Sequence, residues 1–162
     1  MINYTIESVT QDMLPMCLKT IHRAFIGNCE KYGFTKENYP SCAAFMTLAE
    51  LIEEKNSGTH IYTISVDGEM VGCVQIKRTD GDIYHFRRFA VLPEYRHLGL
   101  GKELVDYCKS KAKAYGGKRL RLLMVYENES LRTLYESYGF TLIETGRDDA
   151  HPFLYGIYEM QL

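Results

Sequence analysis

No two of the five cysteines, Cys17, Cys29, Cys42, Cys73 and Cys108, form a C-x-x-C pair. Zinc-ribbon and thioredoxin-like readings therefore have no support. An odd number of scattered thiols reads as reduced and mostly buried. No stretch approaches the roughly 18 apolar residues of a membrane span. The first residues, MINYTIESVTQDMLPMCLK, lack a basic patch followed by an apolar run. The expectation is thus a cytoplasmic, soluble chain without a signal peptide. Nor is there an excess of charge. Nineteen basic residues face 21 acidic ones, a net charge of −2. A protein that wraps nucleic acid is usually clearly basic, so no nucleic-acid partner is expected, although a local basic patch for one phosphate-bearing ligand remains allowed. Repeats, low-complexity tracts and a Pro/Gly/Ser-rich linker are absent, so residues 1–162 read as a single domain.

What is present is an ordinary globular composition, 46% hydrophobic and 25% charged, enough to build a core without metal or disulfides. Residues 2–9 partly alternate and read as a strand. Leu14, Leu18, Ile21 and Phe25 recur at helical spacing over residues 12–25. Gly27, Asn28, Gly33, Asn38 and Pro40 suggest a loop or broken helix from 27 to 40. Phe45, Leu48, Ala49 and Ile52 mark a second helix ending near residues 56–58. A three-strand meander follows: HIYTISV, a two-residue turn at Asp67-Gly68, EMVGCVQIK, a second turn at residues 79–82, and IYHFRRFAVL. Leu100, Leu104, Cys108 and Ala112 share one face of a helix that Gly116-Gly117 stops. KRLRLLMVY reads as a buried strand, and Asn128 as the cap of a short helix ending at Gly139. Two last strands flank a loop at 147–152. The fold class is α+β, with a mixed, mostly antiparallel sheet of seven strands and four helices. The unit from Ile83 to Tyr126 is its one parallel strand–helix–strand crossover, right-handed by the usual rule.

The turn inside that crossover is where a ligand belongs. It reads Arg96-His97-Leu98-Gly99-Leu100-Gly101. Two glycines allow close backbone approach, and the following helix presents free N–H groups and the positive end of its dipole. Such a turn suits a phosphate, with Arg96 and Lys102 at its rim. An isolated G-x-G fits a plain tight turn equally well. Other phosphate motifs fail: Arg96 stands where a P-loop needs its first Gly, and Leu104 where a dinucleotide fingerprint needs its third. No G-x-S-x-G or H-E-x-x-H occurs, and no metal site is expected.

The segment FAVLPEYRHLGLGKEL, residues 89–104, resembles the acetyl-CoA signature R/Q-x-x-G-x-G/A of the GNAT superfamily of N-acetyltransferases. Asn128 to Phe140, NESLRTLYESYGF, resembles that family's N…LYE-x-x-GF helix. The element order is similar too. The resemblance is specific from about residue 83 to 145 and loose over residues 1–80. It implies acetyl transfer from acetyl-CoA, as co-substrate, directly to a primary amine of a small molecule or peptide. Phe89, Ala90 and Val91 would supply backbone groups to the pantetheine arm, with an N–H near Val91 polarising the acetyl carbonyl. His97, Leu98, Gly99, Leu100, Gly101 and Lys102 would cradle the pyrophosphate, and Asn128 would touch the coenzyme. Tyr135 would be the acid for the leaving thiolate. Ordinary Tyr and thiol pKa values of about 10 and 8.5 differ by only about 2 kcal/mol. Its bland reading is a core aromatic. His85 stands where some members carry a basic carboxylate, with Tyr84 or ordered water as rivals. Simple alternation places His85 on one strand face with Arg87, Phe89 and Val91.

Weaker candidates remain. His22 reads as a surface residue; Tyr32, Phe34 and Tyr39 as lining for an acceptor; Asp148 and Asp149 as attractors of a cation or a solvated turn. Arg87, Arg88 and Arg132 read as phosphate contacts or partners of surface acids. The resemblance further implies dimers through the C-terminal strands in many members. Two competing functions are a non-catalytic coenzyme-binding module of the same fold and a nucleotide-binding protein using the same turn.

Overall fold

A computed structural model describes residues 2–162. Its elements follow the order β1 (Tyr4–Ser8), α1 (Leu14–Tyr32), α2 (Leu48–Asn56), β2 (His60–Val66), β3 (Glu69–Asp80), β4 (Ile83–Val91), α3 (Leu100–Ala114), β5 (Arg119–Val125), α4 (Glu129–Ser137), β6 (Thr141–Asp148) and β7 (His151–Gln161). The seven strands form one sheet in the order β1-β2-β3-β4-β5-β7-β6. Every neighbouring pair is antiparallel except β4 and β5. That is the mixed α+β sheet expected from the pattern of elements.

Two apolar clusters lie on opposite faces of the sheet. One joins α3 and Tyr135 of α4 to Tyr84, Phe86, Val91, Leu120, Leu122 and Tyr158. The other joins α1 and α2 to Ile61 and Cys73 through Cys17, Ile21 and Leu51. All five cysteines are buried free thiols. No helix among the described residues is long and apolar enough to cross a membrane.

Three boundaries differ from the sequence reading. Helix α1 runs through Gly27 and Asn28 to Tyr32, into the expected loop. Its true stop is Gly33, at φ 66°, where the N–H of Phe34 bonds back to the Cys29 carbonyl at 3.0 Å. A glycine beyond the last turn takes the left-handed conformation that other residues resist, whereas a glycine within a helix merely weakens it. Phe45 belongs to a separate 3-10 turn, Ala43–Phe45, and α2 starts at Leu48 behind the capping box of Thr47 and Glu50. The expected loop at 147–152 is a tight hairpin. Asp148 Oδ1 accepts from the N–H groups of Ala150 and His151, both at 3.0 Å, and from His151 Nδ1 at 2.8 Å. An Asp that satisfies its own turn replaces several loop residues.

A fourth difference shapes the site. Cys73 pairs with Ala90 and Gln75 with Arg87, so two steps on β3 face three on β4. Arg88 occupies this bulge with φ 53°, a left-handed conformation for a non-glycine residue. One extra residue reverses the alternation. Phe89 and Val91 therefore join Phe86 against the α3 face. His85 and Arg87 face α1 and α2. The shared face expected for His85, Arg87, Phe89 and Val91 is thus split by the bulge.

Candidate active site

Strands β4 and β5 pair over only three residues, Ile83↔Arg119, Tyr84↔Leu120 and His85↔Arg121. Beyond His85 they part. Strand β4 continues to Val91, held by β3, while β5 continues to Val125, held by β7. The six β4 residues after His85 therefore present backbone groups to an open wedge instead of a neighbouring strand. The Leu92 N–H points at β3, to the Val71 carbonyl at 2.8 Å. Strand alternation turns the Val91 N–H the other way, into the wedge.

At the wide end of the wedge the chain makes a 3-10 turn, Pro93–Tyr95, and enters α3 through His97 (φ 63°) and Gly99 (φ 85°). Alternating left- and right-handed residues turn successive N–H groups to one side, the geometry of an anion nest. The N–H groups of residues 97–102 have no acceptor among the described residues. Leu98 and its neighbours are exposed, while Leu100 anchors the helix in the core. The α3 dipole adds positive potential at the same place. Gly101 has a further reason to lack a side chain: a Cβ there would lie 2.9 Å from the Tyr138 hydroxyl and 3.0 Å from Phe89 Cζ.

The flanking cations have different jobs. Arg96 donates from Nε to the Val91 carbonyl at 2.9 Å and from a terminal nitrogen to the Ala24 carbonyl at 3.1 Å. It ties the end of β4 to α1, and its backbone rather than its guanidinium borders the nest. Lys102 is exposed, and its pairing with Asp106 at 2.6 Å holds its pKa above the ordinary value.

Helix α4 closes the other side. Asn128 is buried, and its Oδ1 caps the helix by accepting from the Leu131 N–H at 3.1 Å. Its amide nitrogen bonds to no group of the protein among the described residues. Tyr135 is buried among Phe86, Phe89, Tyr138 and Phe140, with ring centroids 5.7–6.5 Å away. Its hydroxyl makes no hydrogen bond to the protein among the described residues. Burial pushes the phenol above its ordinary pKa, with Tyr138 a smaller contributor. The structure thus brings together residues 89–91, the 97–102 turn, Asn128 and Tyr135.

His85 is placed differently. It is half-buried at the closed end of the wedge, and burial first, then the charges of Arg121 and Arg87, lower its pKa. It lies six residues before Val91, roughly 17 Å along a strand with one bulge. A direct base must lie within about 3 Å of its proton, or one water away. Tyr84 lies on the other face of the strand: it packs in the α3-side cluster, and its hydroxyl accepts from Arg78 Nε at 3.4 Å. His22 is half-buried; its Nε2 lies 2.7 Å from the Met46 carbonyl and ties α1 to the approach of α2. Arg132 lies over the Tyr126 ring, 4.6 Å from its centroid.

The sequence reading missed Glu54. From α2 it receives Arg87 at 2.6 Å, Arg88 at 3.3 Å and Gln75 at 3.2 Å, gripping the bulge across the sheet. Nothing in the local sequence announces this, because the contacts span 21 to 34 positions.

A strand wedge, an anion nest and a tyrosine at its flank have counterparts in known proteins. The acetyltransferase (GNAT) family model matches residues 20–140. The chain belongs to this family. An uncharacterized N-acetyltransferase encoded in the pepI 3′ region of Lactobacillus delbrueckii subsp. lactis is 26% identical over 136 residues, covering 76% of each chain. Among solved structures, the ribosomal-protein-S18-alanine N-acetyltransferase of Escherichia coli superposes with a TM-score of 0.76 at 19% identity, over 98% of this chain and 94% of the other. The PaiA N-acetyltransferase of Thermoplasma acidophilum, solved in complex with coenzyme A, gives 0.75 at 18% identity over 99% of both chains. At these identities the structures show a shared GNAT fold.

Proposed function

We propose that this GNAT protein moves an acetyl group from acetyl-CoA to a primary amine of a small molecule or peptide. The observation that carries the reading is the row of unpartnered N–H groups at 97–102, opening beside the β4–β5 wedge. The nest takes the pyrophosphate, and the wedge takes the pantetheine arm along residues 89–91. The Val91 N–H meets the thioester carbonyl oxygen, where negative charge develops during attack. The free amide of Asn128 adds a polar contact on the β5 side.

The amine forms its new N–C bond as the C–S bond breaks. The departing sulfur takes the bonding pair, and the amine nitrogen gives up a proton. Tyr135 meets the sulfur. Because burial raises the phenol pKa, Tyr135 donates a hydrogen bond to the thiolate rather than surrendering its proton outright. His85 accepts the amine proton through ordered water, since it stands too far for direct contact. Its lowered pKa keeps the imidazole neutral at physiological pH.

Calorimetry with acetyl-CoA, NAD and ATP tests the binding half of this reading. Acetyl-CoA is expected to bind at micromolar concentration, with NAD and ATP at least tenfold weaker. Tight NAD or ATP binding without acetyl-CoA binding assigns the turn to another diphosphate. A separate prediction concerns pH. The rate should fall on the acid side through an apparent pKa below 6.5, the ordinary histidine value. In His85→Gln that limb should flatten, with kcat about tenfold lower at pH 7 and KM for acetyl-CoA within twofold. An unchanged acid limb in the variant removes His85 from the proton path.

A further inference from the structure

The two adjacent arginines at the β4 bulge are provided for unequally. Arg87 donates from Nε to Gln75 Oε1 at 3.2 Å and from a terminal nitrogen to Glu54 Oε2 at 2.6 Å. Arg88 reaches the same Glu54 oxygen only at 3.3 Å. Its Nε is closed off from solvent and has no acceptor among the described residues. One carboxylate thus faces two guanidinium groups, and the second is left largely unmatched. The other half-buried arginines have better partners. Arg121 takes Glu159 through Nε at 2.9 Å and a terminal nitrogen at 2.6 Å. Arg132 shares the unpartnered Nε but rests on the Tyr126 ring. Arg88 rests on no ring among the described residues.

The position is also sterically unusual. A non-glycine residue at φ 53° is costly and persists where its surroundings hold it. Here it aims a five-donor cation to the α1–α2 face, on the strand that offers the Val91 N–H. Beside it stands an aromatic group. Phe34 and Tyr39 from the α1–α2 segment meet Phe153 and His151 of β7, with centroids 5.0–5.7 Å apart. Burial raises the pKa of the Tyr39 hydroxyl in this group, and the charge of Arg88 offsets part of that rise. Asp148, the nearby acid on the hairpin, is occupied by His151 and its own turn. A cationic acceptor meets a surplus cation at Arg88, with Asp148 already occupied, although Asp149 of the same hairpin is exposed. An anion finds planar donors in a low-dielectric setting, where charge-assisted bonds are strongest.

We propose that the acetyl acceptor is an amine that also carries a carboxylate, and that Arg88 holds that carboxylate while the amine reaches the thioester. The proposal rests on the acetyltransferase reading above. Arg88 is then a specificity residue, binding the acceptor and not the coenzyme.

The test uses the full-length protein and follows thiol release from acetyl-CoA. Its arms are the twenty L-amino acids, their carboxamides, polyamines, and peptide amides with or without an acidic second residue. The first two arms isolate an α-carboxylate; the peptide arm isolates a side-chain carboxylate. An acid should exceed its matched neutral amide roughly 10- to 100-fold in kcat/KM, the range of a hydrogen bond to a charged group. Arg88→Gln should reduce that ratio below threefold while leaving KM for acetyl-CoA within twofold. Arg88→Lys, which keeps the charge but loses the fork, should retain part of the preference. Calorimetry supplies a readout without turnover: the preferred acid, or phenylalanine where no amine turns over, titrated into CoA-saturated protein. It should bind wild type at least tenfold more tightly than Arg88→Gln, a variant checked by its melting curve. Equal use of acid and amide, a preference that survives Arg88→Gln, or equal calorimetric binding overturns the proposal. Failure of acetyl-CoA itself to bind overturns the acetyltransferase reading instead, and the acid titration into coenzyme-free protein then decides the Arg88 site by the same ratio.

Discussion

Replacing Tyr135 with phenylalanine is expected to lower kcat about 10²- to 10³-fold, the cost of removing one donor aimed at developing charge. KM for acetyl-CoA should stay within twofold, because the nest and the wedge lie elsewhere. The fold should not suffer. The hydroxyl bonds to nothing in the protein among the described residues, so its removal forfeits no internal hydrogen bond. The hydroxyl is not closed off from solvent, so its removal leaves no buried partner unsatisfied and costs the fold little. The melting temperature should therefore hold. The pH profile adds a second check. Tyr135 must stay protonated to donate, and burial raises its pKa above 10, so the wild-type rate should show no descending alkaline limb from this residue below about pH 10. A variant with undiminished kcat leaves Tyr135 as a core aromatic among Phe86, Phe89 and Phe140, the reading its helical spacing also allows.

What the sequence disclosed and what it hid follow one division. The Asp67-Gly68 turn, the stop at Gly116, the cap at Asn128 and the glycines of the nest are local chemistry, set by residues a few positions apart. All appear in the structure where the sequence puts them. The end of α1 was obscured because Gly27 and Gly33 look alike in a string of letters; only the one beyond the last turn takes positive φ. The bulge was hidden for a stronger reason. Arg88 is neither glycine nor asparagine, so nothing marks it as left-handed, and the count of three residues against two exists only once β3 and β4 are paired. The facing of Phe89 and Val91 depends on that count. Sequence alternation therefore assigned the wrong face to the two residues that matter most to the wedge. Glu54 completes the picture: the carboxylate that stabilises the bulge comes from a helix more than thirty positions away.

Gly72, next to the bulge, is a second sensitive position on β3. Gly72 pairs with Val91, and a Cβ built on it would lie 2.7 Å from the Ala90 carbonyl oxygen and 3.0 Å from Ile64 Cγ2. The first of these is backbone, so no rotamer change relieves it. In Gly72→Ala, β3 and β4 must separate where the Val91 N–H is aimed. Overpacking of this kind costs about 1–3 kcal/mol. For a chain of this size each kcal/mol lowers the melting temperature by roughly 2–4 °C, so a drop of about 3–10 °C is expected. The catalytic loss should be disproportionate. Displacing a positioned donor by about 1 Å costs on the order of 10²-fold in rate. Thiol-release kinetics should therefore show kcat near 1% of wild type at a temperature where the variant is fully folded. The 97–102 nest is untouched, so calorimetry should find acetyl-CoA affinity within about threefold of wild type, most of it carried by phosphate contacts. If kcat falls only in step with the melting temperature, the β4 backbone does not aim the donor, and the thioester is polarised from some other part of the wedge.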